Sequence, residues 1–211
     1  MIDNSLTQTK ESQAGLAVAA AVQVLKDGNS RFVSKSPVSR NLNNQVQETS
    51  SGQYPFAAVV SCIDSRIPTE IIFDQGIGDI FNARVAGNFV NVDILGSLEF
   101  ACKVAGSKLI VIMGHTSCGA VKGACDHVEL GNLTDMLSKI HPAMKNISTP
   151  EGTDRSSANI DFVNKVAVEN VKLNIQRIKD ESTVLNEMLN AGEIDIVGAM
   201  YDVKDGSVNF L

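Results

Sequence analysis

The run Ala57-Ala58-Val59-Val60 leads, through Ser61, into Cys62-Ile63-Asp64-Ser65-Arg66. Small and β-branched apolar residues in a short block read as a buried strand, here over residues 56–62. The end of that strand presents a thiol, a carboxylate and a guanidinium within five residues. A second block, Leu109-Ile110-Val111-Ile112-Met113, is the most apolar in the chain and leads into His115-Thr116-Ser117-Cys118. Two strand ends therefore offer soft metal ligands, and in open parallel sheets sites form outside the carboxyl ends of the strands. Thiolate and imidazole favour Zn2+ over Mg2+ or Ca2+. Cys62, His115 and Cys118 would leave one tetrahedral position, taken by Asp64 in a closed site or by water in a catalytic one. On spacing alone a competing account stays open: Cys62 and Cys118 as inert core cysteines and His115 as a satisfied polar residue.

Working outward, strands alternate with helices. Strands are expected at Ile80–Val85, 108–113 and Ile194–Val203. Helices are expected after Pro68, over 92–105 with Gly106 as the stop, from Gly119 to Cys125, over 132–146 with a kink near Pro142, at Phe162–Ile178 and over 182–190. Asp205-Gly206 is a hairpin signal that turns the chain back into Ser207–Leu211. The pattern predicts a single α/β domain over 1–211: a central, mostly parallel β-sheet flanked by helices, with an antiparallel edge strand from the C-terminal hairpin and an N-terminal helical arm. Within it, residues 1–13 are expected to be disordered. Residues 14–53 form a helix (14–32, weakened by Gly28) and an arm, and 54–211 form the zinc-binding α/β core. Residues 34–53 are rich in Ser, Asn and Gln, lack periodicity, and read as a long connection.

Composition removes several function classes. A net charge of -6 argues against nucleic acid and against anionic membrane surfaces as partners. No apolar run approaches the roughly 20 residues of a membrane span. Leu16–Leu25 follows a polar stretch without a basic cluster and reads as an amphipathic helix rather than a signal-peptide core. Four cysteines in a chain able to bury a full core point to a reducing compartment, and a cytoplasmic location is expected. Cys102 and Cys125 read as small core residues. His127 and His141 are surface residues that could relay protons.

Cys62-Ile63-Asp64-Ser65-Arg66 together with His115-x-x-Cys118 resembles the β-class carbonic anhydrases. Arg84-Val85-Ala86-Gly87-Asn88, Gly114-His115, Cys118-Gly119 and Tyr201-Asp202-Val203 extend the resemblance over most of residues 15–211. It implies one Zn2+ per chain on Cys62, His115 and Cys118, with Asp64 and Arg66 as a catalytic dyad. The implied activity is reversible hydration of CO2 to bicarbonate and a proton by attack of zinc-bound hydroxide, zinc lowering the pKa of water from about 15.7 to roughly 7. It further implies a substrate pocket of Gln53, Phe81, Ala86, Gly87, Phe100 and Gly119, supplied partly by a neighbouring subunit, so a homodimer or dimer of dimers. Phe100 stands where plant-type members carry Tyr, and Ala86 where Val is frequent. A regulated subset of the family has a bicarbonate pocket of Trp, Arg and Tyr; Arg84 and Tyr201 match it, but Val59 replaces the Trp. The open arrangement, with Asp64 paired to Arg66, is therefore expected. The same ligand set could serve a carbonyl sulfide or carbon disulfide hydrolase. A non-catalytic structural zinc module would have no use for the Asp64–Arg66 pair.

Overall fold

The computed structural model describes residues 5–211. A five-stranded sheet runs in the order β2-β1-β3-β4-β5, with β1 at Ala57–Ser61, β2 at Ile80–Arg84, β3 at Leu109–His115, β4 at Asp195–Tyr201 and β5 at Val208–Phe210. The first four strands are parallel and β5 is antiparallel to β4. Every residue of β1 and β3 is buried, as expected for central parallel strands covered on both faces. Burial alternates along β2, which forms one edge.

The order fixes where a site can form. From β1 the chain crosses outward to β2, then returns past β1 to β3, so the direction of winding changes between β1 and β3. Their carboxyl ends flank a crevice at this switch point. Cys62 follows β1 directly, and His115 is the last residue of β3. Strand β3 thus runs beyond the expected 108–113, because pairing with β4 continues to His115 opposite Tyr201.

Helices flank the sheet. The long helix α9 (Ile160–Glu181) packs on β3 and β4, capped by Asn159, whose side chain accepts from Phe162 N. The preceding helices are α1 (Lys10–Gly15), α2 (Val18–Val33), α3 (Leu42–Glu48), α4 (Thr69–Ile72), α5 (Val92–Glu99), α6 (Gly119–Cys125), α7 (Gly131–Ser138) and α8 (His141–Asn146); α10 (Thr183–Asn190) follows α9. Helix α5 runs on into a π-helical turn at Phe100–Val104, inside the single helix expected over 92–105.

Several expectations are corrected. Residues 1–4 lie outside the described residues, but Lys10 to Gln13 are helical rather than disordered. Thr9 and Ser12 form a reciprocal capping box, and the buried Gln13 Nε2 donates to Pro55 O (2.7 Å) and Ala105 O (2.8 Å). The helix expected over 14–32 is interrupted at Leu16-Ala17, where the backbone is extended. Gly28 does not weaken α2 by accident: a Cβ there would lie 1.8 Å from Phe73 O, so only glycine admits the loop after α4. The connection expected over 34–53 contains α3, whose buried Gln45 accepts from Ile77 N through Oε1 (3.0 Å). Residues 132–146 form two helices, and Pro142 lies in the first turn of α8, starting a helix instead of kinking one.

Candidate metal centre

Three short stretches bring the ligand candidates together. Strand β1 delivers Cys62, β3 delivers His115, and the turn through Thr116 and Ser117 returns the chain so that Cys118 caps α6. Ser117 takes a left-handed conformation (φ 55°) to make that return. The sulfur atoms of Cys62 and Cys118 and a ring nitrogen of His115 all lie within 4.8 Å of one another. All three residues are buried, His115 completely. Its Nδ1 lies 3.0 Å from Thr116 O, and since a carbonyl only accepts, Nδ1 carries the proton. Nε2 is then a lone-pair donor, buried and without a hydrogen-bond partner among the described residues. An orphaned imidazole nitrogen beside two thiols is costly unless something binds it, and a metal cation satisfies it. The donor set fits Zn2+ and leaves one coordination position.

The two thiols lie close enough to act on each other's ionisation. Cys118 as a hydrogen-bond donor pulls the Cys62 thiol down to about 4, with help from the backbone of Gly87 and Asp64 against the cost of burial. Cys118 is pushed upward by donating that bond to Cys62 and by its own burial. A cation between the sulfurs would replace the proton and let both ionise.

Asp64 sits beside this cluster but is engaged elsewhere. Arg66 donates Nε to Oδ1 (2.9 Å) and Nη2 to Oδ2 (2.7 Å), and Arg66 N also donates to Oδ1 (3.0 Å). That fork holds the Asp64 carboxyl well below the usual carboxylate range. Asp64 Oδ2 is 4.0 Å from His115 Nε2. Arg84 donates Nε to Cys62 O (2.9 Å) and Nη2 to Asp64 O (2.6 Å), tying the ligand loop to the end of β2. Behind Cys62, Gly87 N donates to Sγ at 3.4 Å. Gly87 has φ 79°, and a Cβ on it would meet Ile140 Cδ1 at 2.7 Å, so the position admits only glycine.

The structure divides the sequence-derived site residues into two groups. Asp64, Arg66, Gly87 and Gly119 belong to the loops around Cys62, His115 and Cys118, and Ala86 adjoins Gly87 on one of them. Phe81, Phe100 and Gln53 do not join them within one chain. Phe81 pairs with Ala58, four residues before Cys62, a separation of about 13 Å along the strand. Phe81 and Phe100 meet edge-to-face at 6.3 Å and line an open cavity of about 620 Å³ with Ala58, Ala83, Gly96 and Ala101. Gln53 is exposed on the loop ahead of β1, at the other end of that strand from Cys62. His127 and His141 lie together, ring centroids 5.7 Å apart. Cys102 and Cys125 are buried in the core, as expected.

Residues on α9 were missing from the sequence reading. Asn164 holds Ser117 N next to Cys118, and Asn170 and Asn174 hold Gly87 O and Val90 N on the loop after β2 that backs Cys62. A usable signal was present: Asn170 and Asn174 are four apart and fall among the apolar positions of a strongly periodic helix, where a polar residue needs a partner.

An open α/β sheet with a buried Cys2His cluster at its switch point, and a clasped aspartate beside it, defines an α/β protein with a candidate metal centre. Sequence comparison names the family: the carbonic anhydrase family model matches residues 57–208, and the chain belongs to that family, in its β class. It is 37% identical over 196 residues to a carbonic anhydrase of Mycolicibacterium smegmatis, covering 90% of this chain and 91% of the relative. Among solved structures, it is similar to the β-carbonic anhydrase CafA of Aspergillus fumigatus (27% identity, TM-score 0.67, covering 92% of this chain and 89% of that one). One of two tetrameric β-carbonic anhydrases of Sordaria macrospora shares the fold (21% identity, TM-score 0.69, 92% of this chain and 97% of that one). No described helix is long and apolar enough to cross a membrane.

Proposed function

We propose that this chain catalyses the reversible hydration of CO2 to bicarbonate and a proton, with one Zn2+ held by Cys62 Sγ, His115 Nε2 and Cys118 Sγ. When bound there, zinc supplies a Lewis acid that makes water nucleophilic near neutral pH. The single observation carrying the reading is the placement of Asp64. Its carboxylate lies 4.0 Å from the unpartnered His115 nitrogen yet is held by Nε and Nη2 of the Arg66 guanidinium. The pair keeps Asp64 ionised and withholds it from the metal position, leaving that position to water and substrate. Asp64 then acts as the hydrogen-bond acceptor that orients the attacking group. A structural zinc site would gain nothing from such restraint.

Phe81, Phe100 and Gln53 complete the pocket from a second copy of the chain. Support comes from their distance from Cys62 in one chain and from the exposed, apolar character of the Phe81–Phe100 cavity, which suits an uncharged linear substrate. The working unit is then a homodimer or a dimer of dimers.

Stopped-flow CO2 hydration by the zinc-loaded protein tests the reading. Activity should be lost on chelation and restored by Zn2+. A zinc-loaded protein that hydrolyses carbonyl sulfide but does not hydrate CO2 would replace this function with a sulfide-releasing one.

A further inference from the structure

Zinc tolerates little displacement of its ligands, and the two thiol ligands come from separate loops. One helix reaches a residue next to each sulfur: Gly87, whose N–H meets Cys62, and Ser117, which precedes Cys118. Asn170 Nδ2 donates to Gly87 O at 2.8 Å, and the N–H of the same glycine donates to Cys62 Sγ. Asn174 Nδ2 donates to Asn170 O (2.7 Å) and Oδ1 (3.1 Å), while its Oδ1 accepts from Val90 N at 2.6 Å. The two asparagines thus clamp both ends of the segment 87–90, and both are almost wholly buried (1% and 5% exposed). Amide orientation is settled by the partners: a carbonyl at Gly87 requires the Asn170 nitrogen, and an N–H at Val90 requires the Asn174 oxygen. On the other loop, Asn164 Oδ1 accepts from Ser117 N at 2.9 Å, holding the left-handed residue just before Cys118. Close approach fixes the helix itself, since a Cβ on Gly114 would lie 2.9 Å from Val171 Cγ2 and 3.5 Å from Ala167 O.

We propose that Asn170, backed by Asn174 and acting through the Gly87 amide, is a positioning residue for the Cys62 thiolate, and that Asn164 positions Cys118 through Ser117. Helix α9 thereby sets the spacing of the two sulfurs. A donor aimed at the Cys62 sulfur also moderates its charge, so the ladder influences how strongly the metal is held as well as where. This inference rests on the zinc reading above.

The test uses the full-length protein. Zn2+ retention is measured by competition with a chromophoric chelator, and the Co2+-substituted protein reports the thiolate-to-metal charge-transfer band. Asn170→Ala should weaken Zn2+ binding by about 10–100-fold and shift that band. Asn164→Ala, at a partly exposed position, should weaken binding by a smaller factor and keep the fold. Val166→Ala, a fully buried α9 residue outside the ladder, should lower thermal stability but leave Zn2+ affinity and the cobalt band unchanged. Wild-type affinity and an unshifted band in Asn164→Ala and in folded Asn170→Ala would overturn the proposal, and Asn164→Ala decides it if Asn170→Ala does not fold. A wild-type chain that binds no Zn2+ defeats the zinc reading itself.

Discussion

Two aspartates in this molecule are clasped by arginine, and the clasps differ in almost every physical respect. Asp64 and Arg66 lie on one loop, two residues apart, with the arginine side chain half exposed (52%). Asp74 is reached across the sequence by Arg31 (2.6 Å) and Arg40 (2.5 Å), and Val38 N adds a third bond (3.1 Å). The side chains of Asp74 and Arg40 are only 4% and 6% exposed. Both carboxyls are held below their ordinary range, but by different balances. For Asp64 the Arg66 hydrogen bond is the largest influence. For Asp74 burial is the largest and pushes upward, and the bonds from Arg31, Arg40 and Val38 together outweigh it. A local, solvated pair is worth little to stability and is cheap to rearrange, which suits a group that must take part in chemistry. A buried pair between distant segments is expensive to break, which suits the junction of the arm with the body.

The largest effect expected from breaking this contrast is on turnover. Asp64→Asn should lower kcat/KM for CO2 hydration by about 10²–10⁴-fold, read by stopped flow, while the unfolding midpoint barely moves. Arg66→Ala should reduce activity while Zn2+ is retained, because the released carboxylate, whose Oδ2 already lies 4.0 Å from the ligand nitrogen His115 Nε2, can turn toward the metal position. A large loss of stability in either variant would erase the distinction between the clasps.

The second clasp should respond in the opposite sense. Asp74→Asn leaves Arg31 and Arg40 without their anion in a buried setting and should cost about 3–5 kcal/mol in urea unfolding. Turnover per zinc-loaded molecule, measured below the onset of unfolding, should stay within about twofold. Asp74→Asn protein that keeps its stability but loses turnover would mean that the arm serves the reaction directly.

The two clasps also mark how far the sequence is legible. The Asp64–Arg66 pair is visible because both partners and Cys62 fall on one short stretch at a strand end, and because β1 and β3 are blocks of β-branched and aliphatic residues. Nothing local connects Arg31 and Arg40 to Asp74. The helical arm is legible, but its attachment to the body is not, for a related reason: its buried anchors are amides. Gln13, Asn29 and Gln45 bond to backbone groups of the body, and a search for apolar periodicity passes over them. Asn170 and Asn174 were missed on α9 for the same reason. Gly28 looked like a helix breaker because its partner, Phe73 O, is brought in by the tertiary fold. The separation of Phe81 from Cys62 is a matter of strand register, since Phe81 falls opposite Ala58 near the start of β1, and no local pattern reports that pairing.

The smallest expected effect tests the arm junction by pH. Asp79 is fully buried and accepts from Gly76 N at 2.6 Å. Burial is the largest influence on it and raises its pKa, against the opposing pull of Gly76 N, Arg40 and Gln8. The folded state therefore binds the Asp79 proton more tightly than the unfolded chain does. As pH rises from about 4, the unfolded chain loses that proton first, so stability falls until the folded carboxyl has also ionised. Asp74 runs the other way: its depressed pKa contributes stability that is complete above about pH 4 and is lost as pH falls through the folded value. Asp79→Asn keeps an acceptor for Gly76 N but cannot ionise. It should flatten the decline of unfolding free energy above pH 4 and leave the variant more stable than wild type near pH 7, with the acid limb set by Asp74 unchanged. Urea titrations between pH 3 and 8 on the two single variants separate these contributions. If Asp79→Asn instead steepened the decline, Asp79 would have to be a favourably paired anion, and the arm would be held by two buried carboxylates of the same kind.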